Sequence, residues 1–399
     1  MFNERELLVH FLIGDDAASR KTALVIDERH LWRSLIDVAL VWKALPALKK
    51  RLSALKVELD STTLAHLRRL SAVTVLRSST VARRGVEAIE LLVQAGVPVA
   101  AFKGLAAMAF QGSSRTLQDV DILISRQTLA SAVLALEAKG YRRATSASID
   151  QYVEFVHNSP GFSGNEAIVL TAPGGGDVDL HWRVGPKKSA RFESAGLLTR
   201  SRQRTLDGRR IPVLDTIDLL LLTVHHAVRN NFVPDDTIRD LMDVQAWLDS
   251  LERDRLMHQV VEAAEEATLL APMTAMAAIV ARLRTGEAMS VAAQALAGAT
   301  RVKEGRTTRS LENLFFSQLR NGPLNPDIIY LTGTRPLVKI LAGGLSGWPK
   351  YRQRMRELEM RKDGAPVPLV RRLIQLWKSV VGLSAGEWSH LRTLARLKN

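Results

Sequence analysis

The sequence predicts an α+β protein, with a mixed α/β core between helical regions on either side. Residues up to about 95 repeat apolar side chains at spacings of three and four, the period of an amphipathic helix. The following stretch, as far as Arg210, alternates short apolar runs with helical patterns, which indicates a mixed sheet. After Arg210 the helical period returns. We therefore divide the chain into residues 1–64, 65–210, 211–300 and 301–399.

The N-terminal region reads as consecutive helices. Leu31, Leu35 and Val38 share one helical face. Asp60-Ser61-Thr62 is a suitable N-cap, because short polar side chains accept hydrogen bonds from the first free N–H groups of a helix. We expect a further helix from Thr80 to Gln94, which Ala95-Gly96 would end.

The core region combines short strands with short helices. The expected helices are Leu105–Phe110 and Thr128–Lys139, the second closed by Gly140. The expected strands are Val97–Phe102, Val120–Ile124, Tyr141–Thr145, Tyr152–His157, Ala167–Thr171 and Asp177–Trp182. Beyond the core, Asp215 or Thr216 would cap a helix that continues to Asn230, and Pro234 would start the next.

Two carboxylate motifs lie on the predicted strands. Successive side chains of a strand alternate between its faces, so Asp119 and Asp121 share a face. By the same rule Asp177, Asp179 and His181 share a face of the later strand. Carboxylate oxygens suit Mg²⁺, and two such ions about 3.5–4 Å apart can clamp both oxygens of a phosphoryl transfer. Asp-x-Asp alone is also common in solvated turns; here the apolar strand around it favours a metal site.

Composition excludes several classes of function. The chain has 399 residues and no cysteine, which removes disulfides, thiolate metal sites and cysteine nucleophiles, and fits a reducing cytoplasm. The N-terminus has no basic start followed by a long apolar run, so we expect a helix there and not a signal peptide. No apolar run is long enough to predict a transmembrane segment. The expected localisation is cytoplasmic.

The positive charge is concentrated at the C-terminal end. The net charge is +14, and residues 301–399 contain 19 Lys and Arg against 7 Asp and Glu. Such a region can attract RNA or an anionic membrane surface, or it can simply be a solvated basic face. The run from Lys350 to Arg356 and the amphipathic segment Leu369–Val381 are the candidate contacts.

Several motifs of the core occur in a recognisable order. They are Gly96, Phe102-Lys103-Gly104, Arg115, Asp119-Val120-Asp121-Ile122-Leu123-Ile124, Gly140-Tyr141 and Val178-Asp179-Leu180-His181-Trp182. This ordered set resembles a family of uncharacterised bacterial nucleotidyltransferases in the DNA polymerase β-like superfamily. The resemblance covers roughly residues 65–250, and it extends to His225-His226 and to the run Arg239–Val244.

The resemblance implies roles for individual residues. It makes Asp119, Asp121 and Asp179 the catalytic residues, which would hold Mg²⁺, or Mn²⁺ in its place, against the donor's phosphates. Asp177 and His181 would support them from the same strand face. The histidines of His225-His226 offer no matching pair at helical spacing, so a zinc site is not expected there.

The nucleotide-binding residues depart from the superfamily pattern. The usual turn before the aspartate pair is Gly-Ser, and this chain has Lys103-Gly104. Gly104 would still let the backbone approach a phosphate, and Lys103 and Arg115 would supply positive charge to it. Ser113 or Ser114 would replace the missing hydroxyl.

The function that the resemblance implies is an enzyme, a Mg²⁺-dependent nucleotidyltransferase. It would move a nucleoside monophosphate from an NTP such as ATP to a hydroxyl or phosphate of tRNA, a peptide or protein, or a small molecule, with release of pyrophosphate. Two alternatives stay open: a catalytically inactive nucleotide-binding or scaffold module, and a metal-dependent phosphodiesterase that uses the same carboxylates.

Overall fold

The computed structural model describes residues 2–111, 116–143, 148–158, 166–186, 189–230, 232, 234–285, 291–299 and 302–321. Its helices are α1 (Glu4–Ile13), α2 (Asp16–Glu28), α3 (Trp32–Val41), α4 (Leu45–Leu55), α5 (Ser61–Gln94), α6 (Lys103–Gln111), α7 (Leu129–Glu137), α8 (Ile149–Asn158), α9 (Ser194–Arg200), α10 (Thr216–Arg229), α11 (Pro234–Arg253), α12 (Met257–Glu266), α13 (Leu270–Thr285), α14 (Val291–Ala299) and α15 (Val302–Asn321). Its strands are β1 (Val99–Phe102), β2 (Asp119–Ile124), β3 (Arg142–Arg143), β4 (Glu166–Thr171), β5 (Asp177–Arg183), β6 (Arg202–Leu206) and β7 (Arg209–Val213). The predicted α+β class is confirmed.

A single long helix, α5, connects the N-terminal helices to the sheet. Asp60 caps it by accepting hydrogen bonds from the N–H groups of Thr62 and Thr63, as predicted. The prediction that a separate helix starts at Thr80 is wrong, because α5 runs without a break for 34 residues. Hydroxyl groups in its middle bond back to the preceding turn; Thr80 donates to the carbonyl of Leu76, so the polar side chains there do not interrupt the helix.

The second half of α5 lies close against the sheet. It packs on β1, β2, β5 and β7. At Gly85 a Cβ atom would lie 2.7 Å from a methyl carbon of Val120, so only glycine permits this approach. Val120 therefore faces α5. Its neighbours Asp119 and Asp121 point away from α5, to the other face of the sheet, because side chains alternate along a strand.

The register of the central strands positions the carboxylates. Within the described residues, one sheet has the strand order β3-β4-β5-β2-β1-β7-β6. β1 runs antiparallel to β2, with Phe102 opposite Asp121. β2 runs parallel to β5, with Asp121 opposite Asp179 and Asp119 opposite Asp177. Two motifs that are far apart in sequence thus become neighbours in the sheet.

Two predicted strands of the core are corrected. Tyr152–His157 lies in helix α8, whose start is fixed by a reciprocal pair: Gln151 accepts from the N–H of Ser148, and Ser148 accepts from the N–H of Gln151. The strand expected at Tyr141–Thr145 is reduced to the two residues of β3, and residues 144–147 lie outside the described part of the chain.

Sequence reasoning also missed the hairpin of β6 and β7. These strands are joined at Asp207-Gly208, where both residues have positive φ, 49° and 79°. Asp-Gly with this backbone is a favoured two-residue hairpin turn. The many arginines on either side of it obscured the alternation that marks a strand, because β6 lies at the edge of the sheet with most of its side chains exposed.

Helices follow the sheet. Asp215 caps α10 by accepting from the N–H of Ile217, as expected. The boundary predicted between residues 64 and 65 falls inside α5. Buried apolar residues from the first helices to α15 form one connected cluster. The division into four regions stays a prediction. Both basic segments, Lys350–Arg356 and Leu369–Val381, lie outside the described residues. In the part of the chain that is described, no helix has the length and hydropathy needed to cross a membrane.

Candidate functional site

Three side chains from β2 and β5 converge on one face of the sheet. Asp121 is 5% exposed, and Asp179 lies directly opposite it on the parallel neighbour. His181 is two residues farther along β5 and shares the face of Asp179. Among the described residues, Asp121, Asp179 and His181 form a grouping whose potential ligand atoms all lie within 4.8 Å of one another. The register of two strands therefore builds a compact acidic site.

One oxygen of Asp121 has two partners. His181 Nε2 lies 2.9 Å from Oδ1 of Asp121, and Nζ of Lys103 contacts the same Oδ1. Burial alone would raise the pKa of Asp121, but the Lys103 ammonium and the hydrogen bond from His181 hold it well below its usual range. Asp121 is therefore ionised in spite of its burial.

Asp179 has the opposite electrostatic balance. Burial, followed by the charges of Asp121 and Asp119, raises the pKa of Asp179 to about 7. The carboxyl group therefore exchanges its proton near neutral pH. A bound cation would relieve both the burial cost and the repulsion between the adjacent carboxylates, since its charge favours the ionised form of both.

His181 is fixed behind the carboxylates. It is 1% exposed, and its ring meets that of Phe102 edge-on at 5.0 Å between centroids. Burial lowers the pKa of His181, against the opposing effect of Asp121, so a neutral imidazole donates from Nε2 to the ionised carboxylate. Its Nδ1 is buried with no hydrogen-bond partner among the described residues. His181 thus orients Asp121, the kind of support that metal-binding carboxylates receive in proteins.

Lys103 reaches the site from the junction of β1 and α6. Its backbone has φ +52°, in the left-handed region. For a residue with a Cβ this conformation costs about 1–2 kcal/mol, and such strain is often found at functional sites. Gly104 follows within the first turn of α6 and is buried. The side chain of Lys103 is 30% exposed, so its ammonium group connects Asp121 to solvent.

The other predicted residues lie farther out or beyond the described regions. Asp119 and Asp177 are exposed at the beginning of β2 and β5, and Asp177 accepts a hydrogen bond from Oγ1 of Thr171 at 2.8 Å. Both add to the negative charge that raises the pKa of Asp179. Neither belongs to the close grouping. Ser113, Ser114 and Arg115 lie outside the described residues.

Sequence reasoning missed one cation near the site. The charge of Arg229, in the last turn of α10, acts on His181 and lowers its pKa, which places the guanidinium within electrostatic reach. The geometry agrees: β7 runs parallel to β1, and α10, which follows β7, packs on α6. Arg229 is exposed. The sequence pattern of α10 indicated only an amphipathic helix. Where the end of α10 lies relative to His181 depends on the tertiary structure and cannot be inferred from that pattern.

A hydrogen bond between helices holds this end of α10. His226 Nδ1 lies 2.8 Å from Oδ2 of Asp240 on α11, and Asp240 is buried. Nε2 of His226 lies 3.2 Å from Nδ2 of Asn230. His226 therefore uses both ring nitrogens within the protein.

The donor set suits a divalent cation. Asp121 and Asp179 offer hard carboxylate oxygens on one face, as Mg²⁺ and Mn²⁺ require, and Asp119 lies on the same strand as Asp121. The pKa of Asp179, raised by burial and then by the neighbouring charges of Asp121 and Asp119, is consistent with a carboxyl group that a bound cation would help to ionise.

Comparisons with known proteins identify the family of the chain. The sequence profile of a family described as an uncharacterised nucleotidyltransferase matches residues 28–285, a longer stretch than the motifs alone cover. Among solved structures, the chain is similar to that of the antibiotic-resistance factor ANT(2'')-Ia in solution, at 12% identity and a TM-score of 0.35, over 48% of this chain and 96% of that one. A likeness at this level says nothing about the site. No curated protein matches the sequence.

Proposed function

This chain belongs to a family of uncharacterised nucleotidyltransferases, and from this premise we propose that it transfers a nucleoside monophosphate from an NTP to an acceptor hydroxyl or phosphate. The observation that carries the proposal is the pairing of Asp121 with Asp179, each opposite the other across two parallel strands. Burial of Asp179, together with the nearby charge of Asp121, raises the pKa of Asp179 to about 7. The family match supports nucleotidyl transfer; the donor, acceptor and metal are parts of the proposal.

The carboxylates would hold the cation. Asp121 and Asp179 supply the inner oxygens, Asp119 adds a third from the exposed end of β2, and Asp177 adds negative charge beside them. When bound, Mg²⁺ or Mn²⁺ would neutralise charge on the donor's phosphates. His181 would keep Asp121 ionised and correctly turned, through the hydrogen bond to Oδ1.

The positive side chains would bind the phosphates. Lys103 contacts Asp121 from the start of α6, and the charge of Arg229 on α10 acts on His181, beside the carboxylates. Gly104 would let the backbone come close to the triphosphate, and Arg115 with Ser113 or Ser114, which precede β2 in the sequence, would contact it. These groups would orient the α-phosphorus toward the acceptor.

The chemical step would use Asp179 as the proton acceptor. The acceptor's oxygen forms a bond to the α-phosphorus, its proton passes to a carboxylate oxygen of Asp179, and pyrophosphate leaves with the electrons of the broken P–O bond. With the cation bound beside it, Asp179 would be ionised, so one of its carboxylate oxygens could accept the proton of the incoming group.

The test is transfer of label from each of the four NTPs, labelled at the α-phosphate, in Mg²⁺ or Mn²⁺. The acceptors offered are tRNA, a peptide and protein mixture, and small hydroxyl compounds. We expect Asp121→Asn and Asp179→Asn to lower transfer by at least about 100-fold, given the usual effect of removing a charged catalytic group. Asp254→Asn, at an exposed carboxylate near the end of α11, is the control.

Three results would count against the proposal. Label transfer that persists in Asp121→Asn and Asp179→Asn means that the carboxylates are not the catalytic groups. NTP binding without turnover across the acceptors would favour an inactive nucleotide-binding module, and nucleotide release from RNA without NTP would favour a phosphodiesterase.

A further inference from the structure

We propose that Lys103 competes with the metal ion for Asp121, so that binding of the cation is coupled to release of the lysine toward the donor's phosphates. The inference rests on the proposed function and assigns Lys103 a second task at the same site. Lys103 would neutralise the acidic face at one stage and hold the triphosphate at the next. It would thereby couple the binding of the metal to the binding of the nucleotide.

The competition follows from the contacts of a single atom. Oδ1 of Asp121 accepts a hydrogen bond from Nζ of Lys103 and also lies 2.9 Å from Nε2 of His181. Asp121 is 5% exposed, so its oxygens have little room for further partners. A cation that uses the same oxygen as Lys103 meets both steric exclusion and charge repulsion from the ammonium. His181 belongs to the interior of the site and does not move aside as readily as a partly exposed lysine.

The position of Lys103 allows it to move. Its backbone lies at the start of α6 with φ +52°, and its side chain reaches Asp121 from there. The side chain is 30% exposed and has a flexible four-carbon stem, so its ammonium can exchange partners without a change in the fold. The donor's phosphates would enter beside the same carboxylates, within the range of that stem.

The balance of charge indicates when the exchange occurs. Asp119, Asp121, Asp177 and Asp179 lie on two adjacent strand ends, and Lys103 brings a positive charge into direct contact with Asp121. A divalent cation that arrives alone must displace Lys103 into solvent. A cation that arrives with an NTP brings phosphates that receive the displaced ammonium. We therefore expect metal and nucleotide to bind cooperatively, each strengthening the other.

The experiment measures binding and not activity. Mn²⁺ is titrated into the full-length protein and free Mn²⁺ is followed by electron paramagnetic resonance, first alone and then with the α,β-methylene analogue of ATP. We expect Lys103→Met to bind Mn²⁺ alone about 10-fold more tightly, and to bind the Mn²⁺–analogue complex about 10-fold more weakly, the usual effect of removing one charge-assisted hydrogen bond. Lys103→Gln should behave in the same way, and Lys103→Arg should bind Mn²⁺ alone as weakly as the unmodified protein.

A matched control is available in the same chain. Lys56 also has positive φ, +54°, but it lies exposed at the end of α4. Lys56→Met removes the same charge from the same backbone conformation, and both affinities should stay unchanged. Thermal unfolding of each variant shows whether it is folded.

The outcomes separate the inference from the proposed function. If the unmodified protein binds neither Mn²⁺ nor the analogue, the proposed function fails and the inference fails with it. If the unmodified protein binds both, and folded Lys103→Met or Lys103→Gln binds Mn²⁺ alone no more tightly, the proposed function stands and the competition is refuted. Opposite changes in the two affinities would support it.

Discussion

Removal of the charge at Asp179 should make the metal-free protein more stable. The folded protein raises the pKa of this carboxyl group from 3.8 to about 7, by burial and by the charges of Asp121 and Asp119. At about 1.36 kcal/mol per pH unit this difference corresponds to at most about 4 kcal/mol. Asp179 is only partly buried, so water screens part of this energy, and we expect Asp179→Asn to gain about 2 kcal/mol at pH 8.

The gain should depend on pH with a definite sign. Because the pKa is higher in the folded protein, the folded state keeps a proton that the unfolded chain has already released between pH 4 and pH 7. Unfolding releases that proton, so rising pH favours unfolding, and the stability that the protonated group retains at low pH is lost as pH rises toward 7. Asparagine does not titrate. Its advantage should therefore be small near pH 4 and complete above about pH 7.

The assay is urea unfolding followed by tryptophan fluorescence in EDTA, at pH 5 and pH 8. The gain of Asp179→Asn at pH 8 should exceed its gain at pH 5 by about 1 kcal/mol or more. Asp177→Asn, two residues earlier on the exposed end of β5, is the control and should change stability little. A variant that is less stable than the unmodified protein at pH 8, or that gains equally at both pH values, would refute the electrostatic reasoning.

Two other predictions concern nucleotide binding and packing. Arg229→Gln should weaken binding of the Mn²⁺–ATP analogue complex about 10-fold, because it removes a charge-assisted hydrogen bond to phosphate. Arg253→Gln, at an exposed arginine in the last turn of α11, is the control and should leave this affinity unchanged. Equal affinities of the two variants would remove Arg229 from the site. Gly185→Ala should destabilise the fold by about 2–4 kcal/mol in urea unfolding, because φ is +75° and the new Cβ would lie 2.5 Å from the ring of Phe192. Gly208→Ala, at φ +79° with open space around it, should cost only about 1 kcal/mol; similar losses at the two positions would contradict the predicted clash.

The inner part of the site follows from rules that act within a single strand. The alternation of side chains is enough to predict that Asp119 shares a face with Asp121, and Asp179 with His181. Sequence could not assign the partner of His181. The imidazole is hydrogen-bonded to Asp121 on the neighbouring strand β2, and not to Asp179 on its own strand β5. The register of β2 against β5 brings His181 and Asp121 together.

The misassigned elements have local and non-local causes. The helix α8 has a capping pair at Ser148 and Gln151, a local signal that the apolar run after it concealed. The hairpin of β6 and β7 carries Asp207-Gly208, a turn signal that the surrounding arginines obscured. The approach of Arg229 is different, since it depends on the path of α10 over α6 and no spacing within the helix encodes it.

Helix α5 has a mechanical consequence for the carboxylates. At 1.5 Å per residue its 34 residues extend about 51 Å, without a proline or a break to bend it. One end packs on α3 and α4, and the other presses Gly85 against Val120, the residue between Asp119 and Asp121. The helix is therefore a rigid connection between the N-terminal helices and the strand that carries the acids. A side chain added at Gly85 would therefore displace the strand that carries the acids, although Gly85 itself lies on the opposite face of the sheet.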